Sequence, residues 1–328
     1  MIRFGVHRRE QYSPNQGWLH GLMHGRRVSY RLLRTSTPAT PAEIAIFDDI
    51  IFYLKLASGV YTTTVPGRFR EFDAWLTEHL APLFDRDRPM VVEDWGTSDS
   101  TTSAEWFPVL RQQFPETRLI ASDLTRHLVE ATVENDGVYV LDADGQPLQY
   151  IAPPFVIRFP EPMPLVINRW IASSAKRRLA RLAADARINL ADLQFDRDGQ
   201  DVHRPPFVFR RLPLVHPRAA ALSRTEPAFE VAQHSAFDLS SREPDVIRTM
   251  NVLNRDYFSD ARLGDAVRSV WASLKDGGVW IVGRTITESP RVHHASLVRK
   301  TGTGFELLAR HVAPSEVEAL ALAFVAPA

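Results

Sequence analysis

Apolar positions along this chain follow two periodicities, and their order predicts its elements. Thr40-Pro41-Ala42-Glu43 opens a stretch in which Ile44, Phe47, Ile51, Leu54 and Leu56 form an apolar helical face. Thr40 is a suitable cap there, and Pro41 suits the first helical position. A second helix is predicted over Arg68 to Phe84, with Phe69, Phe72, Trp75, Leu76 and Leu80 at spacings of three and four. The pattern then shortens to strand-like runs. Met90 to Val92 leads through Glu93, Asp94 and Gly96 into the helix-like AEWFPVLRQQF, and Leu119 to Ser122 ends in Asp123. This is a strand, a tight turn, a helix and a second strand, with carboxylates at the carboxyl ends of both strands.

Farther on, GVYVLDADGQPLQYI places Asp-Gly between two alternating runs, a hairpin signal. From about 137 to 227 the regular alternation of strand and helix is lost, and the region is expected to be an insertion. Within it, 164–187 reads as a basic helix carrying Arg169, Lys176, Arg177, Arg178 and Arg181. Such a helix suits an anionic membrane surface, the cover of an anionic substrate, or a solvated lid. Regular order returns at Phe229. Strands are expected in FEVAQ and DVIRTM, a helix in LGDAVRSVWASLKDGG, a buried strand in VWIVGRT, a hairpin around Gly302-Thr303-Gly304, and a last helix in SEVEALAL. The expected domains are a helical amino-terminal cap over 1–88 and a sheet domain over 89–328 interrupted by the insertion. Residues 1 to about 40 show little periodicity and are expected to be loops with short helical pieces.

Composition adds few restrictions. The 328 residues are 45% hydrophobic and 24% charged, ordinary for a globular chain able to bury a large core. With 39 basic and 39 acidic residues there is no net electrostatic drive toward nucleic acid, and no nucleic-acid partner is expected. There is no cysteine, hence no disulfide, thiol nucleophile or cysteine metal site. The His and Asp clusters show no metal spacing. The amino terminus lacks a signal-peptide core and no run is long enough to span a membrane, so a cytoplasmic location is expected.

The turn PMVVEDWGTSDSTTS carries Asp94, Gly96, Ser98 and Ser100 where a nucleotide-binding turn alternates Asp and Gly. Together with LIASDLT, HSAFDLS, DVIRTMNVLNRDYF and LKDGGVWIVGRT, it makes the chain resemble the class I S-adenosylmethionine-dependent methyltransferases over roughly Pro89 to Val312. The resemblance implies a doubly wound, Rossmann-like α/β sheet closed by an antiparallel hairpin, with S-adenosylmethionine as cofactor and a small or lipid-like acceptor held under cap and lid. It implies that Asp94, Gly96, Thr97 and Ser98 border the methionine part, that Asp123 accepts from the ribose hydroxyls with Leu124 also on the cofactor, and that Ser235, Ala236 and Phe237 lie near the adenine. Arg248 and Asn251 would face methyl donor and acceptor as the catalytic candidates. Serines replace two of three glycines, and Ser235 stands where many relatives have an acid, so an inactive binding protein on this fold is an alternative.

Two other readings compete. Gly96-Thr97-Ser98-Asp99-Ser100 approaches the hydrolase turn Gly-x-Ser-x-Gly. Ser98 would then be the nucleophile, Asp245 or Asp256 the acid, and His293, His294 or His311 the base. A dinucleotide oxidoreductase would also place Asp123 on a ribose, but it expects a tighter glycine turn. Trp18, Phe52, Tyr53, Tyr61, Trp170 and Arg248 are candidates for lining an acceptor pocket.

Overall fold

In the computed structural model, which describes residues 5–12, 28–134, 136–153, 155–160, 166–196 and 199–326, the strands sort into two sheets. The chain divides into two compact units, 1–64 with 125–217, and 65–124 with 218–328. The divisions expected from sequence lay instead after 88 and near 137 and 227. Residues 1–64 build into the same unit as the inserted region, whereas 65–88 belong with the sheet that follows them. Trp18 and positions 164 and 165 lie outside the described residues.

The first unit holds a six-stranded sheet in the order β6-β5-β4-β3-β8-β7. Its strands are β3 (His127–Val133), β4 (Val138–Leu141), β5 (Pro147–Ala152), β6 (Phe155–Arg158), β7 (Asp201–Arg204) and β8 (Phe207–Pro213), all paired antiparallel. Side chains alternate across a strand, and here both faces are covered. Leu128, Val138, Val140, Leu148 and Leu212 pack with Phe47, Ile50 and Ile51 of helix α1 (Pro41–Tyr53). Val129, Ala131, Tyr139, Leu141, Phe207 and Phe209 pack with Ala175, Leu179 and Ala183 of the helix over Val166–Asp185. The cap of α1 forms as its sequence predicts: Thr40 and Glu43 exchange side-chain and backbone hydrogen bonds in a capping box.

The second unit is a doubly wound, Rossmann-like α/β sheet in the order β13-β12-β11-β10-β1-β2-β9. Here β1 is Met90–Trp95, β2 Thr117–Asp123, β9 Phe229–Gln233, β10 Val246–Met250, β11 Val279–Glu288, β12 Arg291–Lys300 and β13 Phe305–His311. From β9 to β11 neighbours are parallel, while β12 pairs antiparallel with both β11 and β13. The expected terminal hairpin is therefore β12 and β13. Helices α2 (Arg70–Leu80), α3 (Thr101–Gln113), α5 (Asp260–Ser273) and α6 (Glu318–Ala323) accompany this sheet; in chain order α4 is Val166–Asp185, and the short helix Pro217–Thr225 is left unlabelled. Leu263, Val267 and Val270 of α5 pack with Trp95, Ile247 and Trp280 on one face.

Toward α2 and α3 the sheet presents a buried charge. Asp94 on β1 is in register with Arg248 on β10. The Arg248 guanidinium, 1% exposed, donates from Nε to Asp94 Oδ1 at 3.0 Å and from Nη1 to Asp73 Oδ1 of α2 at 2.6 Å. Trp106 of α3 lies 4.0 Å beneath it, and Ser103 donates to Asp94 at 2.6 Å. One cation thus ties two strands and two helices together through a site from which water is excluded.

Removing that cation leaves two buried carboxylates uncompensated, so Arg248→Met should cost about 3–5 kcal/mol in denaturant unfolding. Burial pushes the Asp73 carboxyl up to about 7, with Arg248 drawing it back and Asp94 adding to the rise. In the unfolded chain it ionises in the ordinary carboxylate range, so between that range and pH 7 the folded state binds more protons. Stability from this group therefore falls as pH rises across that window. Measured as the difference in unfolding free energy between wild type and Asp73→Asn, wild type should lose ground as pH rises from about 4 to 7. A flat difference would show that Asp73 ionises over the same range in the folded and the unfolded chain.

Candidate functional site

Strand order reverses between β1 and β10, since the chain runs from β1 outward through β2 to β9 and then returns to β10 and β11 on the other side. In open parallel sheets the crevice at that reversal, at the carboxyl ends of the strands, is where ligands bind. The residues at this edge are built from the turn after β1 outward.

Gly96 has φ +73°, and a Cβ placed on it would come 2.0 Å from Cγ2 of Val252. Glycine is required there twice over, by the left-handed conformation and by the close approach of the loop after β10. Ser98 and Ser100 also have positive φ, so they keep the backbone shape that glycine would give. Their turn is stapled to the end of β2: Gly96 and Thr97 backbone N–H groups both donate to Ser122 O, at 2.7 and 3.0 Å. Ser98 N–H donates to Asp123 Oδ2 at 2.7 Å. Asp99, 1% exposed, accepts from Thr101 N–H at the start of α3. The small hydroxyl residues therefore serve the turn itself.

Asp123 stands at the carboxyl end of β2, half-buried, with exposed Leu124 after it. Its carbonyl accepts from His234 N–H at 3.2 Å. The His234 ring lies 4.5 Å from that of Trp95, and burial holds its pKa below the ordinary value. Its Nε2 is buried with no hydrogen-bond partner among the described residues. His234 opens the HSAFDLS motif but was given no role by the sequence; the pairing of β9 with β2 brings it to Asp123. Next to it Ser235 Oγ accepts from Phe237 N–H at 3.2 Å, Ala236 is buried against the α5 side of the sheet, and Phe237 carries Arg262 3.9 Å over its ring.

The two catalytic candidates have different surroundings. Arg248 is interior and held by Asp73 and Asp94, as described above. Asn251 follows β10 with φ +64°. Its Oδ1 accepts from Thr285 N–H at 2.7 Å and its Nδ2 donates to Thr285 Oγ1 at 3.3 Å. Thr285 Oγ1 is 3.1 Å from His293 Nδ1, and His293 Nε2 is 3.2 Å from Arg68 O. Because a carbonyl only accepts, Nε2 carries the proton and Nδ1 accepts from Thr285. Asn251 is thus the first link in a chain of hydrogen bonds that fixes the loop after β10 on β11 and β12.

Both acids of the hydrolase reading are held in ion pairs. Asp245 precedes β10 at the opposite edge of the sheet from Ser98 and is held by Lys275 at 2.9 Å, and Asp256 pairs with Arg284. Among the expected pocket residues, Phe52, Tyr53, Tyr61 and Trp170 belong to the antiparallel unit and Arg248 to the other.

No protein-family model and no curated protein sequence matches the chain. Loose structural likenesses do exist. One is a protein assigned as a sarcosine dimethylglycine methyltransferase from Galdieria sulphuraria, at 10% identity and TM-score 0.30, covering 66% of this chain and 47% of that one. Another is the sugar N-methyltransferase KedS8 from Streptoalloteichus, at 12% identity and TM-score 0.31, covering 80% of this chain and 84% of that one. A third is the [4+2]-cyclase SpnF, at 11% identity and TM-score 0.27, covering 65% and 44%. The chain spans about half the length of the first structures it matches, 47% and 58%. The fold assignment rests on strand order and turn geometry, since likenesses this loose add nothing to it.

The crowding at Gly96 is directly testable. Gly96→Ala should destabilise the fold by about 2–4 kcal/mol, from left-handed strain and overpacking together. Adding Val252→Ala should restore part of that loss in a double-mutant cycle, whereas strict additivity would show that Val252 is not the obstacle.

Proposed function

We propose that this chain transfers a methyl group from S-adenosylmethionine to a small or lipid-like acceptor at the carboxyl edge of its seven-stranded sheet. The observation that supports this reading is the pairing, at the point where strand order reverses, of a left-handed glycine turn with an acidic residue at the end of the next strand. The donor set suits an adenosyl group at one end. A carboxylate accepts several hydrogen bonds, and Ser98 N–H fixes Asp123 while using one of them.

In this proposal Asp123 takes the ribose hydroxyls, and Leu124, Ser235, Ala236 and Phe237 border the adenine. Gly96, Thr97 and Ser98 border the methionine portion. Asp94 contributes by holding β1 to β10 through Arg248, and Asn251 by fixing the loop that flanks the turn. The cofactor supplies an electrophilic methyl group on sulfur, and the protein's task is alignment of the acceptor with it.

A second reading, a binding protein on this fold without turnover, is favoured by two features. Val252 fills the space beside Gly96, and both expected catalytic side chains are committed to contacts within the chain.

Calorimetry of the full chain with S-adenosylmethionine and S-adenosylhomocysteine tests the cofactor assignment. Wild type should bind both, and Asp123→Ala should weaken binding by roughly 10- to 100-fold, the loss expected for hydrogen bonds to a charged group. Absence of binding by wild type, or unchanged binding by Asp123→Ala, would reject it. Release of S-adenosylhomocysteine when acceptor extracts are added separates the enzyme from the binding protein.

A further inference from the structure

We infer that the outward face of α4 docks on anionic lipid headgroups, a surface independent of the methyl-transfer reading. The helix turns Ala172, Ala175, Leu179 and Ala183 into the antiparallel unit. Its opposite face is unlike an ordinary solvated face in two respects. It is basic: Arg169, Arg177 and Arg181 are exposed, with no ion pair to any of them among the described residues, whereas Arg178 is engaged by Asp136 at 3.1 Å. At its amino-terminal end it also exposes two large apolar side chains one turn apart, Val166 at 71% and Trp170 at 66%.

Arginines at an anionic interface neutralise headgroups, while an indole and an aliphatic side chain enter the boundary between headgroups and acyl chains. The aliphatic member decides between polyanions. A single-stranded nucleic acid is gripped by stacking on aromatic rings, a role Val166 cannot fill, whereas a bilayer rewards burial of both. Among the described residues no helix is long and apolar enough to cross a membrane, so the contact is peripheral.

The test is co-sedimentation of the full chain with vesicles of equal parts phosphatidylcholine and phosphatidylserine, against phosphatidylcholine alone. Binding is expected only to the anionic vesicles and should fall with added salt. Arg177→Glu/Arg181→Glu should reduce partitioning by at least roughly tenfold, since each basic residue near such a surface is worth roughly fivefold. Trp170→Ala should reduce it severalfold, and Arg204→Glu, an exposed arginine on β7, should leave it unchanged. The variants alter exposed side chains, and matching circular dichroism melts establish that they fold. The inference is overturned by absence of sedimentation at low salt, by wild-type binding of the Arg177/Arg181 variant, by equal loss in Arg204→Glu, or by preference for polyuridylate over the vesicles.

Discussion

The seven-stranded unit depends on one buried guanidinium. Arg248 reaches Asp94 on the neighbouring strand and Asp73 on α2, with Trp106 of α3 beneath it. Burial is why Asp73 is displaced upward rather than downward: the cost of desolvating its carboxylate outweighs the pull of Arg248, and Asp94 adds to the rise. The arrangement fixes register as well. A one-residue slip of β10 against β1 would turn Arg248 to the α5 face, among Trp95, Ile247 and Trp280, where no carboxylate pair awaits it.

Local signals in the sequence mark much of the seven-stranded unit and less of the other. The parallel strands β1, β2, β10 and β11, the capped helix α1 and the closing hairpin all carry local signals: short apolar runs, a Thr-Pro start, a Gly-Thr-Gly turn. The antiparallel unit was legible only in part. The β4–β5 hairpin carried its Asp-Gly signal, whereas strands β3 and β8 pair residues far apart in sequence, as Val129 with Arg211, and no local pattern records such a pairing.

The order of motifs along the chain placed the candidate residues near the carboxyl edge of the sheet but did not record the direction of each side chain. Arg248 lies in the strand that leads to the crevice, yet its position two residues before Met250 aims it at α2 and α3. Asn251, just past the strand, is placed by Thr285 and His293 from the far hairpin, contacts that no local pattern records. His234 reaches Asp123 for a similar reason, through pairing of β9 with β2.

The serines of the turn illustrate how a motif can change residues and keep its shape. Left-handed conformation costs a residue with a side chain roughly 1–2 kcal/mol, and Ser98 and Ser100 both adopt it. The contacts that offset this strain come from within the unit: Ser98 N–H on Asp123, Thr97 Oγ1 with Ser100 Oγ at 3.1 Å, and two backbone bonds to Ser122 O. A turn held this way is set before any ligand arrives. In the proposed reading two groups border it from outside: the Asp123 carboxylate at the end of β2, and the Val252 side chain, which limits how closely anything approaches Gly96.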